Sequence, residues 1–136
     1  MIVVDTNVIA YSMIQGEYTS LAQQVRRLDS EWRLPSLWRH EFLNVLAVFV
    51  QHGGTQAQEA LLLWHKTVDL LSPCEQAVNL PMVLQLAIDY KITAYDAQFI
   101  ALAISLNARC VTEDRGLLKA FPQIAISMKN FCSLQK

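Results

Sequence analysis

Four acidic residues, far apart in the sequence, have positions and types that could do chemistry together. They are Asp5, Glu41, Asp96 and Asp114. Each follows an apolar run or lies on the apolar side of a helical pattern. Carboxylate oxygens are preferred ligands of Mg²⁺ and Mn²⁺, and such ions activate water and neutralise charge in phosphodiester cleavage. If folding brings the four carboxylates together, the pattern predicts a metal-dependent site, with one or two ions, for hydrolysing phosphodiester bonds.

The first and last of these acids each come at the end of an expected strand. Asp5 follows Ile2–Val4, and Asp114 follows the strand pattern of residues 109–112. In open α/β sheets the ligand crevice lies outside the carboxyl ends of the strands. Either acid could instead simply cap the helix that follows it. Glu113 competes with Asp114 as the inward-facing acid, because the local register stays open.

Glu41 lies in the middle of an apolar helical sector. At ~100° per residue it is only about 40° round the helix from Leu37 and Val45. A charged carboxylate there loses hydration, at a cost of several kcal/mol unless a positive charge compensates it. A metal would do so, and Asn44, one turn on, favours a polar pocket on this face. The alternatives are that this edge of the helix faces water, or that Glu41 pairs with a nearby arginine, Arg33 or Arg39.

Asp96 stands at the head of a stripe that should face the core, since apolar residues follow three, four and seven positions later. Its alternative is structural. Thr93 and Asp96 resemble a capping box, and an acid in the first helical turn is favoured by the helix dipole. Near the last acid, Arg115 and Lys119 lie four apart on one helix face and could contact a phosphate, although solvated surface charge is the usual explanation for such a pair.

The composition limits the function classes. Eleven Lys and Arg residues against twelve Asp and Glu residues give a formal net charge of −1. This balance excludes a protein that coats nucleic acid through a large basic surface. Cys74, Cys110 and Cys132 are odd in number and widely spaced, which argues against a disulfide framework or a thiolate zinc site. His40-Glu41 resembles the start of a zinc-protease motif, but Asn44 stands where the second His is needed.

The arrangement of apolar and polar segments predicts strands that alternate with helices. Strands are expected at 2–4, 32–34, 68–71, 109–112 and 124–126, and helices after residue 6 and at 18–29, 36–51, 55–67, 75–91, 93–107 and 115–121. Ser36, Thr55 and Thr93 are the expected caps, and Pro81 is an awkward interior residue of the 75–91 helix. This order predicts an α/β fold with a mainly parallel, helix-covered sheet.

The length and the hydrophobic content indicate a single compact domain over residues 1–136. With 53% hydrophobic residues, the chain can bury a sizeable core. Met1 to Asp5 has no basic segment ahead of an apolar run, so it does not resemble a secretory signal. The apolar stretches are too short to span a bilayer. We therefore expect a soluble, cytoplasmic protein that does not enter a membrane.

Four motifs together resemble the successive acidic motifs of PIN-domain proteins, most closely the VapC toxins of bacterial toxin–antitoxin pairs. They are Val4–Val8, Pro35–Leu46, Tyr95–Ala97 running into an Ala-rich helix, and Val111–Leu117 with its Thr-x-Asp pattern. Each motif is short, but the set occurs in the family's order and spacing over essentially the whole chain. The resemblance implies a three-layer α/β/α sandwich around a mainly parallel sheet of about four or five short strands.

The resemblance also implies an activity, a site and partners. The activity is a Mg²⁺- or Mn²⁺-dependent endoribonuclease, commonly dimeric, that is held in check by a small antitoxin covering the active site. Asp5, Glu41, Asp96 and Asp114 would be the four acids, which favours Asp114 over Glu113 by analogy. Asn7 and Thr112 match polar positions that support the acids through hydrogen bonds. A housekeeping RNA-processing enzyme is the alternative within this class.

Two other function classes remain as alternatives. A receiver-like phosphoacceptor domain also gathers acids around Mg²⁺ at strand ends, but it needs a lysine at a late strand end. Here the late strands end in Thr112 and near Ser127-Met128-Lys129, and an inward Glu41 on a helix has no role in such a domain. A non-catalytic binding module would use the same fold and keep its acids only as a structural ion site. The apolar stretches Leu43–Val50 and Ala60–Trp64 exceed what one small core needs, which leaves surface for a dimer.

Overall fold

Short parallel strands covered by helices on both faces make up the structure, a computed structural model that describes residues 1–134. In chain order the elements are β1 (Ile2–Val4), α1 (Thr6–Met13), α2 (Thr19–Leu28), β2 (Trp32–Arg33), α3 (Trp38–Gln51), α4 (Ala57–Leu71), a 3₁₀ turn (Ser72–Cys74), α5 (Leu80–Tyr90), α6 (Ala94–Leu106), β3 (Cys110–Val111), α7 (Arg115–Ala120), β4 (Ala125–Ile126) and α8 (Met128–Leu134). Within these residues the sheet has four parallel strands in the order β2-β1-β3-β4. The predicted three-layer α/β/α architecture is confirmed.

The register of the sheet sends alternate residues to two separate cores. Val3, Cys110 and Ala125 form one row across the sheet, and Val4, Val111 and Ile126 form the next. The first row packs with Phe99 of α6 and Leu117 of α7. The second row packs with residues of α1, α2, α3 and α8. Because both faces of the sheet are covered, the strands are continuous apolar runs and show no polar alternation.

The carboxyl ends of β1 and β3 meet at one edge of the sheet. The two strands are neighbours and parallel, with Val4 paired to Val111. The next backbone link is a 3.0 Å hydrogen bond from the Asp5 N–H to the Val111 carbonyl. The residues that follow each strand, Asp5 and Thr112, therefore emerge side by side. This is the position at which open α/β sheets place their ligands.

The prediction of a strand at 68–71 is wrong, because these residues form the last turn of α4. A four-residue apolar run is compatible with either a buried strand or a helix segment, and periodicity alone does not separate them. Here the helix begun at Ala57 continues without a breaker. Leu71 is fully buried while Leu70 is substantially exposed, as expected for a helix with one face on the core.

Three helix starts also differ from the prediction. The helix expected from residue 75 begins only at Leu80, and Asn79 caps it by accepting a hydrogen bond from the Met82 N–H. Pro81 then lies in the first turn, where a missing N–H costs nothing. The helices expected to be capped by Ser36 and Thr55 begin at Trp38 and Ala57, one residue later than those caps predict, and Thr55 instead donates to the Glu59 carboxylate.

The structure adds a carboxyl-terminal helix that the sequence pattern did not predict. This helix, α8, packs Met128, Phe131 and Cys132 against the same core as α2. It has seven residues within the part of the chain described, too few for a clear periodic signal. The remaining predicted strands and helices are confirmed, with strands one or two residues shorter than expected at 32–34, 109–112 and 124–126.

Helix length bears on the membrane prediction. The longest helix in residues 1–134, α4, has 15 residues, or about 22 Å at a rise of 1.5 Å per residue. A bilayer core is about 30 Å thick. None of the helices described is both long and apolar enough to cross a membrane.

Candidate active-site cleft

All four candidate acids line one cleft of about 590 Å³ at the carboxyl ends of β1 and β3. The acids are Asp5, Glu41, Asp96 and Asp114. The rest of the wall comes from Thr6 and Asn7 of α1, Leu37, His40, Asn44 and Val45 in and before α3, and Tyr95 of α6. Folding therefore brings together residues that span most of the chain.

Asp5 caps α1 and also lines the cleft. Its Oδ1 accepts a 2.8 Å hydrogen bond from the Thr6 N–H at the start of α1. Its Oδ2 accepts a 2.7 Å hydrogen bond from the Thr112 hydroxyl. The residue is 7% exposed. Burial raises the pKa of this carboxyl to about 6 against the opposing effect of these hydrogen bonds, and the charges of Glu41 and Asp96 raise it further.

Asn7 and Thr112 connect the first acid to the last. The Asn7 amide nitrogen lies 3.5 Å from Asp5 Oδ2 and 3.4 Å from the Thr112 hydroxyl. The same hydroxyl accepts a 3.0 Å hydrogen bond from the Asp114 N–H. Asn7 Oδ1 accepts from the Glu113 N–H at 3.3 Å. Both polar side chains thus contact the segments that carry the acids, as the motif resemblance implied.

Glu41 projects from the first turn of α3 into the cleft. Its Oε1 accepts a 2.6 Å hydrogen bond from the Thr6 hydroxyl. The two arginines considered as its partners pair elsewhere, Arg33 with Glu31 and Arg39 with Glu75. Partial burial raises the pKa of Glu41, the hydrogen bond from Thr6 lowers it, and the charge of Asp96 adds to the increase.

Asp96 lies in the first turn of α6, half-buried and on the side of the cleft. Its N–H donates a 3.0 Å hydrogen bond to the Thr93 hydroxyl, so Thr93 caps the helix as predicted. The backbone of Asp96 thus serves the cap, while its carboxylate contributes to the cleft wall. Burial raises the pKa of Asp96, and the negative charge of Asp114 raises it further.

Asp114 and Glu113 point to different places, which the sequence alone left open. Asp114 caps α7, with Oδ1 accepting a 2.9 Å hydrogen bond from the Leu117 N–H, and it lines the cleft. Glu113 accepts a 2.8 Å hydrogen bond from the Met128 N–H at the start of α8 and is not part of the cleft wall. The structure therefore places Asp114, and not its neighbour, beside the other acids.

The cleft concentrates negative charge without a basic partner. Within residues 1–134, the ion pairs formed by arginines and by the amino terminus involve only Asp29, Glu31 and Glu75. Neither lysine nor arginine lines the cleft among these residues. Mutual repulsion and burial therefore destabilise the ionised acids, and a cation in the cleft would relieve both effects.

The side chains of the cleft supply suitable ligands for a divalent cation, although the carboxylates do not converge on one point. Carboxylate oxygens suit Mg²⁺ and Mn²⁺, and the cleft contains no thiolate. In the described part of the chain, no three His, Cys, Asp or Glu side chains are arranged to hold a metal ion. Asp5 instead accepts hydrogen bonds from Thr6 and Thr112, and Glu41 accepts one from Thr6. The donor chemistry thus fits a hard cation, and its binding would require the acids to approach one another.

Several residues near the cleft differ from the sequence-based expectation. Arg115 and Lys119 are exposed on α7 and do not line the cleft, so a phosphate contact for them stays a prediction. His40 and Tyr95 do line it, although neither residue was predicted from the sequence to be a site residue. Their signal was their position immediately before the second and third acids. A residue adjacent to a site acid is a weak signal without the fold, because its side chain could equally face solvent.

Two apolar surfaces lie outside the cleft. The first is a depression of about 510 Å³ between α3 and α4, lined by residues that include Leu43, Leu61 and Trp64. The second is a stripe along α5, where Leu80, Leu84 and Ile88 are each more than 60% exposed. The first surface includes parts of both apolar stretches that the sequence marked as a possible dimer surface.

Comparison with known proteins agrees with this fold. The PIN domain family model matches residues 2–122. Ribonuclease VapC3 of Pyrobaculum aerophilum is 25% identical over 126 residues, which cover 90% of this chain and 96% of that protein. The crystal structure of PAE2754 from the same organism matches 98% of this chain and 94% of its own, with a TM-score of 0.77 and 20% identity, and so supports the fold alone. With a family model matching nearly its whole length, this chain belongs to the PIN domain family.

Proposed function

We propose that this protein is a Mg²⁺- or Mn²⁺-dependent endoribonuclease. The observation that carries the proposal is the single cleft lined by Asp5, Glu41, Asp96 and Asp114 without a basic partner among the described residues. Membership of the PIN domain family and the similarity to a protein named ribonuclease VapC3 support RNA as the substrate.

The four carboxylates would hold the cation, and the polar residues around them would position the carboxylates. When bound, the metal supplies activation of the attacking water and neutralises charge on the leaving oxygen. Thr112 fixes Asp5 through Oδ2, and Thr6 fixes Glu41 through Oε1. No lysine or arginine of the described residues lines the cleft to compete with a metal for the acids. One carboxylate of the cluster would accept a proton from the attacking water.

The direct test is RNA cleavage by the purified protein with Mn²⁺. We expect cleavage of at least some members of a broad RNA panel, and loss of more than 100-fold in rate for Asp5→Asn and Asp96→Asn. Asp69→Asn, an exposed substitution on α4, is the matched control and should retain the activity. Circular dichroism and a melting curve for each variant separate lost chemistry from lost folding.

Two results would replace the proposal with another function. If acetyl phosphate transferred a phosphoryl group to an aspartate and no RNA was cut, a phosphoacceptor domain would be the better description. The absence of lysine from the described cleft wall argues against that outcome. If wild type and both Asn variants were equally inert on every RNA, a binding module with a structural ion site would take its place.

We further propose that the enzyme is the toxin of a toxin–antitoxin pair, acts in the cytoplasm and forms a homodimer. The VapC name of the similar ribonuclease supports the first point, and the two exposed apolar surfaces support association with other chains. Induced expression should arrest growth, and co-expression of a small neighbouring gene should relieve the arrest. Growth without arrest would favour housekeeping RNA processing.

Light scattering measures the oligomeric state directly, and a monomer at 100 µM would contradict the dimer.

A further inference from the structure

We infer that the cleft recognises an unpaired RNA base through a non-acidic wall formed by His40, Asn44 and Tyr95. This inference rests on the proposed ribonuclease function and concerns how that site selects its substrate. The three residues line the same cleft as the acids, but none of them carries a carboxylate. The cleft therefore has an acidic side and a side that offers hydrogen-bonding and aromatic groups without a carboxylate.

The position and exposure of Tyr95 carry most of this inference. It immediately precedes Asp96 in the first turn of α6, lines the cleft and is 62% exposed. Other tyrosines of the described chain pack on aromatic rings, such as Tyr90 on Phe121 at a centroid distance of 4.3 Å, but Tyr95 contacts no ring there. A large aromatic side chain is thus kept exposed beside the acids, where a nucleobase could stack on it.

His40 and Asn44 face the cleft from α3. They are four residues apart, so they lie on one side of the helix, and Glu41 lies between them in the sequence. Both are exposed. The asparagine amide offers donors and an acceptor, and the imidazole can stack or form a hydrogen bond. These are the groups that read the edge of an unpaired base.

Among the described residues, the cleft wall lacks the lysines and arginines that usually supply affinity for RNA. Nonspecific binding of nucleic acid comes mainly from lysines and arginines at the phosphates, and it weakens steeply with salt. No lysine or arginine lines this cleft in residues 1–134, and the formal net charge of the chain is −1. Within the cleft, affinity then comes from the bases and from the metal, and this part of the affinity should depend only weakly on salt.

Stacking on Tyr95 requires that the base be free of its neighbours. In an A-form duplex the base faces are stacked, and the edges in the deep groove are inaccessible to side chains. The wall therefore suits a single-stranded segment such as a loop, bulge or end. A paired stem of the same sequence should be a poor substrate.

The test uses an eight-nucleotide single-stranded RNA carrying 2-aminopurine, the same strand annealed to its complement, and the full-length protein. With Ca²⁺ in place of Mn²⁺, binding should change the 2-aminopurine fluorescence only for the single strand. Tyr95→Ala should abolish that change, and in Mn²⁺ cleavage assays it should raise KM about tenfold while kcat changes less than threefold. Tyr95→Phe keeps the ring and should show the wild-type fluorescence change and the wild-type KM. Tyr18→Ala, at an exposed tyrosine outside the cleft, is the control and should match wild type.

The outcomes separate this inference from the proposed function. If wild type cuts RNA but Tyr95→Ala has the same KM and fluorescence change, or if duplex is cut as well as single strand, the non-acidic wall is not the base-binding surface. If Tyr95-dependent binding is seen without cleavage of any RNA, the inference stands and the nuclease proposal fails. If wild type neither binds nor cuts RNA, both fail. For His40→Ala and Asn44→Ala, an altered preference among the four bases at one position supports the reading of a base edge, and unchanged preferences overturn it.

Discussion

The Thr112 hydroxyl donates a 2.7 Å hydrogen bond to Asp5 Oδ2 and joins residues 107 positions apart in the chain. Both groups are buried, and they belong to neighbouring parallel strand ends. The same hydroxyl accepts from the Asp114 N–H, so one threonine orients the first acid and the segment of the last. This contact is the simplest link between the fold and the candidate site.

Removing that hydroxyl should destabilise the protein and the site together. Thr112→Val keeps the shape but leaves Asp5 with one hydrogen bond fewer and the Asp114 N–H without its acceptor. We expect the free energy of unfolding at pH 7.5 to fall by ~1–3 kcal/mol, measured by urea denaturation, and the RNA cleavage rate to fall with it. Thr112→Ser retains the hydroxyl and should lose less on both measures. Equal effects of Val and Ser would mean that packing, and not the hydrogen bond, is what matters at this position.

The metal-free protein should become less stable as the pH rises through the range in which Asp5 ionises. The pKa of Asp5 is raised from 3.8 to about 6, so the folded state holds a proton that the unfolded state releases near pH 4. The contribution of this bound proton to the free energy of unfolding is complete below pH 4 and is lost progressively towards pH 6. It amounts to about 3 kcal/mol at most. The raised pKa values of Glu41 and Asp96 act in the same direction, while the lowered pKa of Glu75 acts in the opposite one.

Comparison with Asp5→Asn isolates this contribution. Asn remains neutral at every pH and is also a good helix cap. In EDTA, the difference in unfolding free energy between wild type and Asp5→Asn should shift in favour of the variant as the pH rises from 4 to 7. A difference that stays constant across this range would contradict the raised pKa.

Mn²⁺ should stabilise the folded protein, and it should do so more at pH 7.5 than at pH 5, because protons compete with the metal for the carboxylates. A ligand at 100 times its Kd adds about 2.7 kcal/mol. Melting temperatures with and without Mn²⁺ measure the effect. Asp96→Asn should reduce the shift and Asp69→Asn should not. An identical shift in both variants would indicate that the ion binds away from the cleft.

The Arg39–Glu75 pair should stabilise the start of the helix that carries Glu41. Arg39 donates from Nε and Nη2 to the two oxygens of Glu75 at 2.7 Å each, and the Trp38 indole N–H donates to the same carboxylate at 3.0 Å. Glu75→Ala leaves the indole of a buried tryptophan without its acceptor. We expect a loss of ~1–3 kcal/mol in unfolding free energy and a lower kcat, since Glu41 loses its fixed position.

The exposed pair between Arg33 and Glu31 provides the matched control for this prediction. The Glu31 side chain is 56% exposed, against 19% for Glu75. Exposed pairs contribute ~0–1 kcal/mol, so Glu31→Ala should change stability little and leave kcat unaltered. If Glu75→Ala behaves like Glu31→Ala in both measurements, the pair does not position the helix.

Much of the fold was predictable because its local signals were strong. Apolar runs ending in acids predicted β1 and β3, and Thr93 predicted the start of α6. The strand at 68–71 was predicted wrongly because four apolar residues carry no distinguishing period. The start of α5 was predicted wrongly because the apolar pattern before it obscured the role of Asn79 as a cap. Asn79 can cap the helix only if Pro81 lies in its first turn.

The sequence by itself determined that this chain has four acids at strand ends and on inward helix faces, and that its motifs resemble those of PIN-domain proteins. Only the tertiary structure decided that Asp114 and not Glu113 faces the cleft, that Arg33 and Arg39 pair away from Glu41, and that Tyr95 stands exposed beside Asp96. The physical reason is that periodicity gives the side of an element on which a residue lies. The choice of partner depends on distances between elements that meet only when the sheet is assembled.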